Sequence, residues 1–363
     1  MNPVTFNTIY VEKDVLQYPW VQECLNLCKA SVIEIQSIAE EIDRSFVLPY
    51  PQDPIGAKSL FIGKQRGIFI RPCPCSLETK RCGYHYLSLG IGCPLECTYC
   101  FLQGFLNTSS PILYVNFPDM EKELKEWNQK MQNMGKILRL GTGEMTDSLI
   151  FDPISHFTRK LIDIFSPFDH LHLELKTKST CIENILDKAS PNVFIAWSLN
   201  PASIIEQEER EAASLQERLM AAKKIVQAGF SVAFHFDPII PIDGWEDLYK
   251  KTVEQLFTTI PASSIAWISL GIFRIFPGLR DTIRQRHPYS QVLLGEILPS
   301  FDGKLRYLKK IRVDVYKKMK QWIQNYSNVP LYLCMESEEM WEEIFPEHAP
   351  NWFDIHQCYF IES

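Results

Sequence analysis

The stretch His85–Gln103 reads HYLSLGIGCPLECTYCFLQ. It opens like a short strand and runs at once into a loop carrying three cysteines. Five more strand-like runs recur downstream: KILRLG (136–141), HLHLELK (170–176), VFIAWSL (193–199), SVAFHFD (231–237) and IAWISLG (265–271). Helical stretches lie between most of them, at Asp119–Asn133, Ile154–Phe165, Ile182–Lys188, Glu206–Ala228 and Trp245–Thr258. In the fourth, Ala212, Leu215, Leu219, Ala222 and Val226 form one apolar stripe, and Gly229 follows at a C′ position. Alternating βα units with strands of about six residues predict a parallel sheet covered by helices. Six units make either an open doubly wound sheet or a partial (β/α)6 barrel of TIM type, and both place chemistry at the carboxyl ends of the strands. Polar residues gather there: GTGEMTD (141–147), KTKS (176–179), SLNP (198–201), HFDP (235–238) and GIFR (271–274).

Outside this repeat, residues 1–83 read as an N-terminal extension. It has an apolar-periodic stretch at Val15–Ile42, a Pro-rich loop VLPYPQDP (47–54) and a Cys-containing loop. Residues 84–300 form the barrel and 301–363 a C-terminal helical extension. The chain has 363 residues, 46% hydrophobic and 22% charged, which is an ordinary globular composition. A net charge of −7 excludes a general polyanion binder but leaves room for a local basic patch. The longest apolar runs, such as Val193–Trp197 and Ile265–Ile268, fall far short of the roughly 18 residues a membrane helix needs. MNPVTFNTIYVEKDV has neither a cationic n-region nor an apolar h-region, so a cytoplasmic protein with no membrane contact is expected. With no export signal, eleven cysteines point to metal or redox chemistry before a disulfide framework.

Six of those eleven fall between Cys73 and Cys100. Cys93, Cys97 and Cys100 have the spacing C-x3-C-x2-C. Three thiolates on one short loop can hold three irons of a [4Fe-4S] cluster. With no fourth cysteine at ferredoxin spacing, one iron stays open. An open iron can chelate the amino and carboxylate groups of S-adenosylmethionine (SAM) and feed an electron into its sulfonium. The plain alternatives are three buried free thiols or a zinc site, although zinc needs four ligands and no second pair follows. Tyr99 can pack a flat ring against an adenine, or simply fill core. In GTGE the glycines allow close backbone approach. Glu144 can then accept from the cationic amino group of SAM, or merely sit at a helix N-terminus.

The segment resembles the signature of the radical SAM superfamily. GCPLECTYCFLQ, GEMTDSL, LELKTKS, WSLN, HFDPIIPIDGWEDLY and ISLGIFRIFP together resemble the spore photoproduct lyase family, in family order over roughly residues 84–320. The resemblance implies a partial (β/α)6 barrel, one [4Fe-4S] cluster, and SAM cleaved to a 5′-deoxyadenosyl radical. It also implies hydrogen abstraction from a substrate of nucleic-acid type, such as DNA, and an electron donor such as flavodoxin or ferredoxin. Lys178, Ser198 and Asn200 match family positions near the cofactor, and Lys178 can pair with the SAM carboxylate. Two positions depart from the family. Its second tyrosine after the third cysteine is Phe101 here, and its cysteine hydrogen donor after the second strand is Glu144. Neither side chain donates a hydrogen atom as a thiol does, so inefficient splitting of the spore thymine dimer is expected. Radical chemistry on a non-nucleic-acid substrate is the rival enzyme reading. An iron–sulfur sensor is the non-enzymatic one, against which GTGE, Lys178 and Ser198 count.

Weaker signals remain. Cys73, Cys75 and Cys82, in RPCPCSLETKRCGY (71–84), can ligate a second cluster or zinc with His85 as a fourth ligand, or be plain loop thiols. His235 and Asp237 end the fifth strand and can touch substrate, although Asp237 can equally cap the turn. Arg274, ending the sixth strand, can bind a carboxylate or phosphate bidentately. Lys304–Lys320 carries eight Lys or Arg against one Asp, with Leu308, Ile311, Val315, Met319 and Trp322 as an apolar stripe. Its basic face can meet phosphates or be a solvated helix face.

Overall fold

The computed structural model describes residues 4–45, 59–76, 78–106, 108 and 110–346. The Pro-rich 47–54 loop lies outside them. The chain opens with strands β1 (Thr8–Glu12), β2 (Ser31–Ile35), β3 (Ser59–Gly63), β4 (Ile70–Pro72), β5 (His85–Leu87), β6 (Gly90–Ile91) and β7 (Ile112–Tyr114). β2, β1, β3 and β7 pair in that order, all parallel, and β6 closes the edge antiparallel to β7. This first sheet thus draws strands from both sides of the cysteine loop. HYLSLG, expected as one strand, divides: His85–Leu87 enters the barrel and Gly90–Ile91 joins the other sheet. The Val15–Ile42 stretch resolves into a helix (Pro19–Leu27), β2 and the start of a second helix (Ile38–Ser45).

The large sheet adds β8 (Leu138–Gly141), β9 (Leu171–Thr177), β10 (Val193–Ser198), β11 (Ser231–Ile239) and β12 (Ile265–Ile272). With β5 these are six parallel neighbours in chain order. β13 (Arg274–Ile275), β14 (Ile297–Pro299) and β15 (Leu305–Tyr307) form a small antiparallel sheet, and β16 (Leu331–Leu333) extends the large sheet parallel to β12. Antiparallel β4 and parallel β16 are the two edges, so the sheet curls without closing. This is the expected partial barrel. Its strands are nearly continuous apolar runs because helices cover the sheet; every residue of β10 is buried.

Three expected helices differ. Ile154–Phe165 is interrupted at His156, which takes a left-handed conformation (φ 48°), leaving Asp152–Ser155 and Phe157–Phe165. Ile182–Lys188 supports only a single 3-10 turn, Glu183–Ile185. Glu206–Ala228 breaks into Ala202–Glu208 and Leu215–Gln227. The second starts at Ser214, whose hydroxyl accepts from Glu217 N–H while the Glu217 carboxylate accepts from Ser214 N–H, a capping box. The break at 209–214 turns Glu209 inward, where it is buried.

Candidate active site

The cysteine loop lies between β6 and a 3-10 turn, Phe101–Gly104. Side chains do the work that regular structure does elsewhere. The Gln103 amide donates to the carbonyls of Thr98 (2.8 Å), Cys97 (3.2 Å) and Cys100 (3.3 Å), and its oxygen faces His287 Nε2 at 3.0 Å. The buried Glu208 carboxylate accepts from the Thr98 hydroxyl, from Ser290 Oγ (2.7 Å) and from Gln291 N–H (2.8 Å). Burial pushes all three thiols up, and the Cys93 thiol is raised further by the Asp147 carboxylate and then by Cys100 and Cys97. Cys97 reaches about 12 by burial even though Lys178 pulls it down. Thiols held this way give up their protons to a metal more readily than to water.

Lys178 begins just past β9. Its ammonium lies 2.7 Å from Tyr99 Oη, 3.6 Å from Cys97 Sγ and 3.6 Å from Glu209 Oε1, and 4.7 Å from the Tyr99 ring centre. Asp147 fixes its backbone: the carboxylate accepts from Lys178 N–H and Thr177 Oγ1, each at 2.7 Å, and from the N–H groups of Leu149 and Ile150. Glu209 accepts from Tyr99 Oη, from Asn200 Nδ2 (2.9 Å) and from Arg218 (2.5 Å). Burial raises the Glu209 carboxyl, but Arg218 and Lys178 outweigh it and hold it near 2. Asn200 Oδ1 accepts from Tyr249 Oη at 2.7 Å. Ser198 contributes its carbonyl, which accepts from Arg218 at 2.9 Å. Tyr99, Lys178, Ser198 and Asn200 therefore meet around the cysteine loop. Tyr99 is a hydrogen-bonded, nearly buried ring.

The remaining candidates lie apart from this group, and most of them have partners of their own. Glu144 sits 3.6 Å from Lys176 Nζ. Gly143 beside it is needed because an added Cβ would stand 2.7 Å from the Lys176 carbonyl oxygen. His235 contacts Ser269 Oγ with Nδ1 (2.6 Å) and Glu174 with Nε2 (2.5 Å). Burial opposes the Glu174 charge, yet His235 and Arg139 hold its carboxyl near 2. Asp237 and Arg274 bind each other. Cys73 and Cys75 share a hydrogen bond that keeps the proton on Cys73 and pulls Cys75 to about 6. Cys82 and Cys334 are close enough to raise Cys73 further, as does Glu144. His85 Nδ1–H donates to Gly83 O (2.9 Å), and the ring packs on Trp127. The basic run is helical only from Lys309, in the Lys309–Gln324 helix; its start lies in and beside β15, where Lys304 and Arg306 pair with Asp302. Much of its remaining charge is also neutralised within the chain: Lys309 by Glu339 and Glu343, Lys317 by Glu343, Lys318 by Glu246 and Asp314, and Arg312 by Glu336.

Sequence reading missed Glu209, Arg218, Asp147, Glu174 and Lys176. Three of them stood inside quoted motifs, in GEMTD and LELKTKS. Glu209 lay in a charge run, EQEER (206–210), that gives no local hint of burial.

The residues present fit the expected cofactors. The donor set on the loop is all sulfur, which suits iron–sulfur chemistry. Among the described residues no three His, Cys, Asp or Glu converge on one ion position; thiolates that each bind a different iron of a cube need not do so. Three carboxylates act on the thiols, and each has a partner of its own: Asp147 on Cys93, Glu209 on Cys97 and Glu144 on Cys100. Among the described residues no helix is long and apolar enough to cross a membrane.

Comparison with known proteins agrees. The chain is 24% identical over 342 residues to the spore photoproduct lyase of Geobacillus sp. (strain Y412MC61), covering 90% of this chain and 97% of that one. It is 27% identical over 306 residues to that of Bacillus subtilis (strain 168), covering 81% and 86%. A solved spore photoproduct lyase variant with bound AdoMet and dinucleoside spore photoproduct superposes with a TM-score of 0.77 at 21% identity, covering 92% of this chain and 99% of that one, which shows a shared fold. The family model for spore photoproduct lyase matches residues 4–327, so this chain belongs to the spore photoproduct lyase family of radical SAM enzymes.

Proposed function

We propose that this chain uses a [4Fe-4S] cluster and SAM to abstract hydrogen from a nucleic-acid lesion or base. The observation that carries this reading is a largely buried ammonium, Lys178, placed 3.6 Å from Cys97 Sγ on a loop of three thiols, of which Cys97 is buried and Cys93 and Cys100 are half-buried. When bound, the cluster and SAM supply the one-electron chemistry that yields a 5′-deoxyadenosyl radical. The chain does the rest. Cys93, Cys97 and Cys100 hold three irons. Lys178 pairs with the SAM carboxylate, and Tyr99, Ser198 and Asn200 wall the same pocket. Glu144 faces the mouth with Lys176 as its counter-ion. The apolar barrel keeps water away from reactive species. A relative of the same fold binds dinucleoside spore photoproduct, which supports a DNA lesion as substrate. A flavodoxin- or ferredoxin-type protein would supply the electron.

The test is anaerobic reconstitution with SAM and dithionite. 5′-Deoxyadenosine should form, and deuterium from labelled dinucleoside spore photoproduct should appear in it. No 5′-deoxyadenosine would leave an iron–sulfur sensor. Formation without deuterium transfer would favour the second reading, radical chemistry on another substrate, which Glu144 and Phe101 at the family's donor positions support.

A further inference from the structure

One buried carboxylate near the cysteine loop, joined to four separate parts of the fold, belongs to a residue that no motif names. Glu209 is 1% exposed and sits on the loop that breaks the expected long helix. Oε1 accepts from Asn200 Nδ2 at 2.9 Å and from Tyr99 Oη, and lies 3.6 Å from Lys178 Nζ; Oε2 accepts from Arg218 at 2.5 Å. Arg218 is anchored independently, donating to Ala213 O (2.8 Å) and Ser198 O (2.9 Å). One carboxylate therefore ties together the exits of β9 (through Lys178) and β10 (through Asn200), the cysteine loop (through Tyr99) and the Leu215–Gln227 helix (through Arg218). A buried charge held by this many donors is rigid, and rigidity is what a supporting row of residues gives a binding site.

We infer that Glu209 is a positioning residue of the cofactor pocket: it fixes the Lys178 ammonium and the Tyr99 hydroxyl in the arrangement that receives SAM. The inference rests on the proposed function for its ligand, and on geometry for the residue. A lysine side chain alone has four rotatable bonds and considerable rotamer freedom to lose. Held between Tyr99 Oη and Glu209, Lys178 has lost that freedom before a ligand arrives, so SAM does not have to order it. A role in stability alone would make no distinction between variants that keep Lys178 and variants that lack it.

The experiment measures SAM affinity and the electron paramagnetic resonance spectrum of the reduced, reconstituted protein, with and without SAM. Glu209→Gln should keep wild-type iron content, bind SAM at least about tenfold more weakly, and show a smaller SAM-induced spectral change. In a Lys178→Gln background the same substitution should have little further effect on affinity, because the group it positions is gone. Glu209→Asp should fall between Gln and wild type. Wild-type affinity and an unchanged spectral response in Glu209→Gln would overturn the inference, as would equal, additive losses with and without Lys178. If Glu209→Gln loses iron or fails to fold, Tyr99→Phe replaces it: the inference expects weaker SAM binding that again disappears without Lys178, and undiminished binding overturns it. Failure of the wild type to bind SAM at all would instead refute the function proposed for the site.

Discussion

Arg274 grips Asp237 with both terminal nitrogens, at 3.1 and 3.4 Å, and so joins the exit of β11 to the segment that follows β12. The same guanidinium donates to Ile272 O at 3.1 Å and meets the sulfurs of Met335 (3.3 Å) and Cys334 (3.4 Å). Burial raises the Asp237 carboxyl, but Arg274 and a hydrogen bond from Cys334 outweigh it and leave it below the ordinary range. Both residues look like free ligands in the sequence; in the fold they satisfy one another.

Breaking that pair should therefore show first as lost stability. Asp237→Asn strands a guanidinium that is 11% exposed. The expected loss is about 2–3 kcal/mol by urea unfolding, somewhat under the roughly 3–5 of a fully buried pair, because the Asp237 side chain keeps some contact with water. Replacing both residues by apolar ones of similar size should cost less than either single change. A double variant as unstable as the sum of the singles would show that the two do not act as a pair.

The three loop cysteines should bind iron as a unit. Reconstituted protein is expected to hold about four irons, and Cys93→Ala, Cys97→Ala or Cys100→Ala should each abolish 5′-deoxyadenosine formation. Full activity in any one of them sinks the assignment. A second cluster at Cys73, Cys75 and Cys82 would about double the iron, and their triple alanine variant would halve it again. Values near four in both proteins mean that those thiols hold no cluster.

Acid should unfold the protein partly through Glu174. Its carboxyl lies near 2 in the fold against an ordinary value of 4.5, so it contributes stability above the unfolded value that is lost as pH falls through 4.5 toward 2. A shift of that size corresponds to roughly 3 kcal/mol. Chemical unfolding of wild type and Glu174→Gln across pH 6 to 2 is the measurement. The gap between them should be widest near neutrality and narrow as pH falls. A pH-independent gap would mean that the charge of Glu174 contributes nothing.

The barrel and the cysteine loop were legible because their signals are local. Six apolar runs buried on both faces announce strands, and three thiols within eight residues announce a cluster. What escaped was non-local. β6 and β7 are two and three residues long, and only the pairing of β7 with β3, and of β6 with β7 across the loop, makes them a sheet with the N-terminal strands. Glu209 meets Tyr99 across a sequence separation of 110 residues, and Arg274 meets Met335 across 61. The Ser214–Glu217 capping box, by contrast, stood in the sequence, and it marks where the expected 23-residue helix had to break.

The last prediction concerns the hydrogen atom that must be returned after a thymine dimer is split. A thiol suits that step because sulfur holds its hydrogen weakly and the thiyl radical is stable. At the two family positions for such a relay this chain has Glu144, 3.6 Å from the Lys176 ammonium, and Phe101, a ring packed 6.1 Å from that of Phe105. A carboxylate paired to an ammonium has no hydrogen atom to give, and a phenyl ring has no hydroxyl to relay one. With dinucleoside spore photoproduct, wild type is expected to consume SAM with little clean repair, leaving side products in place of two thymines. Glu144→Cys/Phe101→Tyr should raise the yield of intact thymine per SAM consumed. Clean, multiple-turnover repair by the wild type would refute this. In that event Cys73→Ala and Cys75→Ala locate the donor, since the Cys73 thiol lies within electrostatic reach of Glu144 and shares its proton with Cys75. Repair gained only in the double variant would show that the scaffold is competent and that its own residues serve a different reaction.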